Sequence, residues 1–321
     1  MSAQPTVAID GATGYLGNHL AARLVNNGFR VRCIVHPGAK EQDINFLRSV
    51  GAEVFSASLD SNDPNLAGAL KGCDVAVHLI GSIAPKKGER LEDLHAGQTA
   101  QLIAACTSNG VAKVVMVTAL GTAADAVSSY HRTKWQAEEN VRQSGLNFVI
   151  VRPSLIIGRQ VGFRNSKLIA RYTEMIQTRP AVPVIGGGNN KIQPVFVGDL
   201  VAAIERTVRS NEFDRQTLEI GGTEILTMKE FVEKLIVSQG SHKKVRGIPS
   251  FAANFMALIC QSLQDVPTVS LDQVKLSVHD NICAANVLPT LLGAQPTSVQ
   301  AALETYKSSS PTGNITAKAA I

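Results

Sequence analysis

Tyr130 and Lys134 form the pattern in this sequence that is best suited to acid–base chemistry. They stand as Tyr-x-x-x-Lys in a stretch that predicts a helix from Ser129 to Gln143. A spacing of four puts both side chains on one helix face. A lysine ammonium beside a phenol stabilises the phenolate, so we expect it to lower a tyrosine pKa that starts near about 10. The pair therefore indicates a general acid or base, and the same lysine could hydrogen-bond a ribose.

Glycines near the start of the chain predict a dinucleotide-binding loop. An apolar strand beginning at Val7 runs into Gly11, Gly14 and Gly17, spaced as G-x-x-G-x-x-G. In such a loop the first glycine allows a tight turn, the second allows close approach to a pyrophosphate, and the third lets the next helix pack on the strand. The phosphates would lie at a helix N-terminus, where unpaired N–H groups favour negative charge. The following helix is predicted to stop at Asn27-Gly28.

The residues after the second strand bear on the choice of cofactor. That strand is predicted from Val31 to Val35 and is followed by His36, with Arg32 and Lys40 nearby and no acid before Glu41. In this kind of fold an acid about 20 residues past the glycines binds the ribose 2′-hydroxyl of NAD, whereas a basic residue accommodates the 2′-phosphate of NADP. The sequence favours NADP(H) over NAD(H). The alternative is that His36 is a solvated turn residue and selectivity is weak.

Strands and helices alternate along the first half of the chain, which indicates a parallel sheet with helices on both faces. The fold class is therefore α/β, a Rossmann-type doubly wound parallel sheet with a smaller C-terminal substrate-binding region. We predict three parts: a Rossmann domain at residues 1–158, a partly interwoven substrate or lid region at 159–307, and a flexible tail at 308–321. The further elements predicted in the Rossmann part are strands at 53–58, 75–80, 113–118 and 147–151 and helices at 65–70 and 97–108.

Several helices are predicted beyond the first domain. Residues 167–177 have helical character, and Asp199 is predicted to be the N-cap of a helix that ends at Val208. Thr227 is predicted to cap another helix, with Glu230 completing a capping box.

A basic cluster and an apolar helix come next, and they have two interpretations. His242-Lys243-Lys244-Val245-Arg246 is followed by a strongly apolar stretch, Phe251 to Leu263. That stretch could lie on a membrane, attracted through the basic cluster. It could instead cover the substrate pocket, an interpretation favoured by the lack of Lys or Arg on its polar face.

Composition sets limits on the class of protein. The chain has 321 residues, 45% hydrophobic and 18% charged, with a formal net charge of +5. This balance suits an anionic ligand or membrane surface, while 5% aromatic residues and no basic stripe argue against nucleic acid. The five cysteines form no C-x-x-C pair, so we expect neither disulfides nor a metal site. Because the first strand begins near Val7 and no long apolar run follows, we expect a cytoplasmic protein, with a peripheral position at the inner face of a membrane as the alternative.

Taken together, the motifs resemble the short-chain dehydrogenase/reductase superfamily. They look like its atypical, epimerase/dehydratase-like branch, and in particular like the group related to the nucleotide-binding accessory subunit of respiratory complex I. Order and spacing carry the resemblance, which runs from about residue 6 to about residue 305. Besides the glycine loop and Tyr130-x-x-x-Lys134, its motifs are Thr118-Ala119-Leu120-Gly121, Arg152-Pro153-Ser154, Pro194-Val195-Phe196-Val197-Gly198-Asp199 and Ile220-Gly221-Gly222.

The resemblance implies roles for individual residues. Tyr130 would donate a proton to a carbonyl that receives hydride, Lys134 would lower its pKa, and Thr118 would orient the substrate, although superfamily enzymes usually have serine near Thr118. His36 would stand near the adenosine 2′-position, where an NADP-binding relative is expected to have arginine. The residues implied in cofactor binding are Gly11, Thr13, Gly14, Tyr15, Leu16, Gly17, His36, Gly81, Lys134 and Pro153.

Two functions are consistent with these roles. The first is an NADP(H)-dependent oxidoreductase or epimerase-type enzyme acting on a small carbonyl or hydroxyl substrate. The second is a non-catalytic NADP(H)-binding accessory or assembly protein of a respiratory or quinone-linked membrane complex. A redox sensor that binds NADP(H) is a third hypothesis, weakened because such a protein has no need for Tyr130 and Lys134. The sequence identifies neither the substrate nor the oligomeric state.

Overall fold

A seven-stranded parallel sheet positions the rest of the molecule. The computed structural model describes residues 4–60, 63–83, 88–265 and 267–307, so the predicted tail at 308–321 lies outside the described residues. The sheet strands are β1 (Thr6–Ile9), β2 (Arg30–Val35), β3 (Glu53–Ser56), β4 (Val75–His78), β5 (Lys113–Val117), β6 (Asn147–Pro153) and β11 (Gln216–Ile220). They lie in the order β11-β6-β5-β4-β1-β2-β3, with every neighbouring pair parallel. The predicted fold class is confirmed.

Burial on both faces explains why the central strands form. Every residue of β1, β4 and β5 is buried. Two separate apolar clusters cover the two faces, one containing Val7 and Ile9 and the other containing Ala8. Strands that are buried on both sides become continuous apolar runs, which is the pattern of a doubly wound sheet. Because all seven strands are parallel, their carboxyl ends meet at one edge, where such folds bind ligands.

Helices connect the strands of the first half. They are α1 (Tyr15–Asn26), α2 (Glu41–Ser49), α3 (Pro64–Leu70), a π-helical turn (Asp93–Gly97) that continues into α4 (Gln98–Ser108), and α5 (Ser129–Gln143). The bounds of α5 agree with the prediction, and Ser128 caps it by accepting a hydrogen bond from the His131 N–H. The sequence analysis did not identify α2. Strands β3, β4 and β5 end earlier than predicted, whereas β6 extends to Pro153 because it pairs with β11 along its length.

The second half of the chain adds small sheets and further helices. Its strands are β7 (Ile156–Ile157), β8 (Ala181–Ile185), β9 (Lys191–Ile192), β10 (Val195–Phe196), β12 (Leu226–Thr227) and β13 (Lys244–Ile248). Its helices are α6 (Lys167–Thr178), α7 (Val197–Arg209), α8 (Met228–Ser238), α9 (Ser250–Leu263), α10 (Leu271–Leu276), α11 (Leu288–Leu292) and α12 (Val299–Glu304). Strand β11 lies in the main sheet and α7 packs on α1, so residues after 158 complete the first domain.

The two capping predictions in this half have different outcomes. Thr227 caps α8 and forms a complete capping box with Glu230, as predicted. The prediction for Asp199 is wrong, because α7 begins at Val197 and places Asp199 in its first turn. The Asp199 carboxylate instead accepts hydrogen bonds from the backbone N–H and the hydroxyl of Thr297, at 2.6 and 3.1 Å. Local sequence could not show this, since the partner lies far along the chain.

The apolar stretch near residue 251 forms helix α9, as predicted. It buries only Ala253 and Ala257 among its fourteen residues. Lys244, Val245 and Arg246 of the basic cluster belong to β13, which pairs in parallel with β8. In the part of the chain that the structure describes, no helix has the length and apolar character needed to cross a bilayer.

Candidate functional site

The glycine loop has the backbone geometry that its spacing predicts. Gly11 has φ of +60°, a conformation that favours glycine, and its carbonyl accepts the Gly14 N–H at 2.9 Å. A Cβ at Gly17 would collide with the Gly11 carbonyl oxygen and would come within 2.6 Å of the Ala12 Cα. The helix therefore packs against the loop as closely as a residue without a side chain permits.

The N-terminus of α1 fits a phosphate group. Gly14 is the N-cap and supplies no side-chain cap. The first intrahelical bond of this end runs from the Asn18 N–H to the Gly14 carbonyl, so the N–H groups of the predicted residues Tyr15, Leu16 and Gly17 precede the intrahelical ladder. Unpaired N–H groups at a helix start attract anions. The close backbone approach at Gly17 and the unpaired N–H groups at the start of α1 together fit a nucleotide pyrophosphate.

Asp10 fixes the loop to the neighbouring strand. Its carboxylate is buried and accepts hydrogen bonds from the backbone N–H groups of Leu79 and Ile80, at 2.8 and 3.2 Å. Its other oxygen lies 2.5 Å from Nδ1 of His78, whose Nε2 lies 2.9 Å from the Thr99 hydroxyl. Local sequence patterns do not indicate this buried network, because its members lie far apart along the chain. It holds the ends of β1 and β4 together beneath the glycine loop.

A cavity of about 180 Å³ opens beside the loop, at the carboxyl ends of β1, β2 and β3. Both Gly11 and Thr13 line it, as expected of cofactor-binding residues, and so does His36. Asp60, which sequence analysis did not select, also lines it. The complete lining is Asp10, Gly11, Thr13, Ile34, Val35, His36, Ala57, Leu59, Asp60, Ile80 and Gln98.

Charges at the mouth of this cavity come from His36 and Asp60. Nε2 of His36 lies 3.6 Å from the Asp60 carboxylate, and both side chains are more than half exposed. Gln98 donates a hydrogen bond to the other Asp60 oxygen. Arg32, expected near the same position, points elsewhere: its guanidinium binds Glu53 and the Lys71 carbonyl. Of the basic residues considered from sequence, His36 alone lines the described cavity.

Lys134 reaches the same sheet edge from α5. Its ammonium donates to the Ile80 carbonyl at 2.6 Å, and the side chain is only 2% exposed. A Cβ at Gly81 would come within 2.6 Å of Lys134 Nζ, so this glycine leaves the room that the ammonium occupies. Burial lowers the pKa of Lys134 to about 8. The ammonium still holds its proton at neutral pH, as a ribose or phenol partner requires.

Tyr130 lies on the same face of α5 and its pKa shifts in the direction opposite to the prediction. Burial raises the pKa of Tyr130 to about 12, so Lys134 does not produce a lowered value. The ring packs edge-on against His95, with centroids 5.4 Å apart, and lies 5.3 Å from the His131 ring. A phenol that is protonated at neutral pH is in the state that a proton donor needs.

His95 joins this cluster from the π-helical turn. Nδ1 of His95 lies 2.8 Å from the Thr133 hydroxyl, which donates to the backbone carbonyls of Ser129 and Tyr130. The imidazole therefore donates through Nδ1, and Nε2 accepts the Ser82 N–H at 3.4 Å. Burial, assisted by the Lys134 charge, lowers the pKa of His95 to about 3. His95 is therefore a neutral, fully buried wall of the cluster.

The Thr118 hydroxyl is held by a carboxylate of α5. Its hydroxyl donates to the buried Glu138 carboxylate at 2.7 Å, and Glu138 also binds the guanidinium groups of Arg142 and Arg152. A hydroxyl held in this ion-pair network serves to position α5 against the sheet. The role of Thr118 in orienting a substrate therefore remains a prediction.

The remaining predicted residues lie at the border between the two halves. Pro153 is buried at the end of β6, and its carbonyl accepts the Leu120 N–H at 2.9 Å. Tyr15 donates to the Gly158 carbonyl at 2.6 Å, and Tyr306 donates to the same oxygen. Arg164 pairs with the buried Asp43 of α2 at 2.9 Å. The segment after residue 157 is thereby fastened across α1 and α2, next to the glycine loop.

Comparison with known proteins agrees with this geometry. Residues 11–166 match a family model described as NAD(P)H-binding, a range that contains the glycine loop, Tyr130 and Lys134. The chain is also 28% identical over 229 residues to the mitochondrial NADH dehydrogenase [ubiquinone] 1 alpha subcomplex subunit 9 of Arabidopsis thaliana. Together these matches show that the chain resembles the atypical short-chain dehydrogenase/reductases. The match covers 70% of the chain and 55% of the plant subunit, so the chain spans little more than half of that relative's length.

Proteins with other activities in their names resemble this chain as well. A ceramide reductase of Caulobacter vibrioides is 31% identical over 157 residues, which is 49% of this chain and 48% of the reductase. A nucleoside-diphosphate-sugar epimerase from Staphylococcus aureus superposes with a TM-score of 0.73, covering 93% of this chain and 99% of the epimerase at 15% identity. The epimerase establishes the fold alone. Within the described residues, no group of three His, Cys, Asp or Glu side chains could hold a metal ion.

Proposed function

We propose that this protein is an NADP(H)-dependent oxidoreductase or epimerase-type enzyme that uses Tyr130 and Lys134 on a carbonyl or hydroxyl substrate. The supporting observation is that the glycine loop and Lys134 contact the same residue, Ile80, at the carboxyl-end edge of the sheet. A Cβ at Gly11 would come within 3.2 Å of Ile80 N, and Lys134 binds the carbonyl of Ile80. The glycine loop and the Lys134 ammonium are therefore adjacent, and Tyr130 lies four residues before Lys134 on the same helix.

Each residue has a role in this mechanism. Gly11, Gly14 and the start of α1 would hold the pyrophosphate, and Lys134 would offer its ammonium to a ribose. When bound, a reduced nicotinamide supplies hydride to a carbonyl carbon. Tyr130 donates its phenolic proton to the carbonyl oxygen as negative charge develops there. The imidazole of His95 packs against the Tyr130 ring and holds it in place. Because His95 is neutral, Lys134 carries the positive charge of this cluster.

A specific observation favours the second candidate, a non-catalytic accessory protein. Tyr130 is 9% exposed and Lys134 2% exposed, so both are enclosed by protein before any substrate enters. The plant relative carries the name of a respiratory-complex subunit. In this alternative the same residues hold a nucleotide permanently, and the protein contributes to assembly of a membrane complex.

The first experiment separates these candidates. Purified protein is denatured, the released small molecules are identified by mass spectrometry, and NADPH oxidation is followed against a panel of carbonyl compounds. We expect a nucleotide site that exchanges and oxidises NADPH with one class of carbonyl compound. Stoichiometric retained nucleotide without turnover would instead support the accessory role.

The preference for NADP(H) is a proposal about His36. It stands at the cavity mouth where the adenosine 2′-position is expected, and no other basic side chain lines the described cavity. Asp60 opposes this preference, because its carboxylate lies 3.6 Å from the imidazole and would repel a 2′-phosphate. The balance between these two side chains therefore determines the selectivity.

Nucleotide affinities of two variants test this proposal. We expect Asp60→Asn to tighten NADPH binding by about three- to tenfold, because it removes a screened like charge near the phosphate. His36→Ala should weaken NADPH binding by a similar factor while changing NADH affinity little. The exposed His242, far from the cavity along the chain, provides the control His242→Ala. Wild-type protein that binds NADH more tightly, with Asp60→Asn weakening only NADH, would assign Asp60 to the ribose hydroxyls and make NAD(H) the cofactor.

A further inference from the structure

In helix α9 the large apolar residues face solvent and the small ones face the protein. An ordinary surface helix has the reverse arrangement. Its large side chains are exposed: 78% for Phe251, 68% for Phe255, 55% for Leu258 and 79% for Leu263. The inner face consists of Ala253 and Ala257, which pack on Val269 and Val274. A globular helix normally buries its largest apolar residues. Four exposed large side chains on one helix form a patch of the kind that marks an interaction site.

Two exposed cations precede this patch along the chain. Strand β13 leads through Pro249 directly into α9, and its Lys244 and Arg246 are exposed. Within the described residues neither side chain forms an ion pair. The helix itself contains no Asp, Glu, Lys or Arg. An apolar face without acids, preceded by cations, is complementary to an anionic lipid surface.

We propose that α9 is a membrane-docking helix that lies in the interface of an anionic bilayer, with Lys244 and Arg246 against the lipid headgroups. Its fourteen residues span about 21 Å, which is too short to cross the hydrocarbon core but suits a helix parallel to the surface. Phe251, Phe255 and Leu263 enter the boundary between headgroups and acyl chains. The alanine face stays on the protein, which explains why the helix is well formed although its large residues are unburied.

Helix α10 connects α9 to the candidate site. Val274 of α10 packs in the same cluster as Ala253 and Ala257. Asp272, also in α10, accepts a hydrogen bond from the Tyr130 backbone N–H at 3.0 Å. One short helix therefore contacts both the inner alanine face of α9 and the first turn of α5. Docking would place the Tyr130 cluster close to the bilayer, where lipid-soluble substrates or membrane partners concentrate.

Flotation of the full chain with vesicles tests the proposal. Vesicles of phosphatidylcholine containing phosphatidylglycerol are compared with pure phosphatidylcholine at low and high salt. We expect the protein to float with the anionic vesicles. Phe251→Ser/Phe255→Ser should weaken binding by roughly a hundredfold, because two large apolar side chains no longer enter the lipid. Lys244→Gln/Arg246→Gln should weaken it by roughly thirtyfold at low salt and reduce its dependence on salt.

Matched variants control for general changes in surface character. Ile225→Ser/Val237→Ser removes two exposed apolar residues elsewhere, and Lys71→Gln/Lys229→Gln removes two exposed lysines; both should bind vesicles as the wild type does. Thermal unfolding and NADPH affinity should match the wild type in all four variants. Wild-type protein that does not bind anionic vesicles, or phenylalanine variants that bind undiminished, would overturn the proposal. So would a vesicle-free dimer that Phe251→Ser/Phe255→Ser converts to monomer, since a second copy would then cover the face.

Discussion

Replacing Tyr130 with Phe is expected to reduce kcat by about 10²- to 10⁴-fold while nucleotide affinity stays close to that of the wild type. The phenol is the proton donor in the proposed reaction, and burial keeps it protonated, with a pKa of about 12. Phenylalanine retains the ring that packs against His95 and His131, so folding should be preserved. Steady-state turnover of the substrate class found in the NADPH screen and calorimetric NADPH binding provide the two readouts.

Tyr172→Phe is the matched control for this prediction. Tyr172 lies in α6 within a different apolar cluster, and its pKa is likewise raised by burial. Loss of its hydroxyl should leave kcat unchanged. Turnover by Tyr130→Phe equal to that of the wild type would exclude Tyr130 as the acid and would direct attention to another proton donor at the same edge.

Substituting Gly17 with Ala should weaken NADPH binding by about a hundredfold or more and destabilise the fold by about 1–3 kcal/mol. The added methyl group would collide with the backbone of Gly11 and Ala12, and backbone cannot move away as the end of a flexible side chain can. Helix α1 must therefore shift away from the loop, which displaces the N–H groups proposed to bind phosphate. Urea unfolding measures the free energy, and calorimetry measures the affinity.

Gly68→Ala provides the contrast. Gly68 lies inside α3, and a Cβ there would meet nothing within 4 Å. Alanine in that position should leave NADPH binding unchanged and should stabilise the protein by about 1 kcal/mol through higher helix propensity. Equal effects of the two substitutions would mean that the close approach at Gly17 is unimportant for nucleotide binding.

The parts of the fold that local patterns determine were predictable. The glycine spacing predicted the turn at Gly11 and the tight packing at Gly17. The bounds of α5 were predicted correctly, and the capping box at Thr227 needed only residues within one turn. In each of these places the decisive physical interaction joins residues close together in sequence.

The parts that depend on distant contacts were not predictable from local patterns. Asp199 matches an N-cap locally but is held by Thr297, and Asp60 enters the cavity because β3 ends beside β2. His95 is buried because a π-helical turn carries it against Tyr130. Burial also reversed the expected pKa of Tyr130, since a neighbouring lysine on one helix face says nothing about how completely both groups are desolvated.

The position of β11 has a consequence for how the chain unfolds. Gln216 pairs with Val149, so the last ladder of the main sheet can form only after the intervening residues 154–215 have returned the chain to the sheet edge. Pairing over such a distance delays folding, because the entropy of closing the loop is lost before the contact forms. It also makes the two halves one cooperative unit rather than separable modules. A nucleotide bound at the glycine loop would therefore protect the distant residues of the C-terminal half against proteases, although it does not touch them.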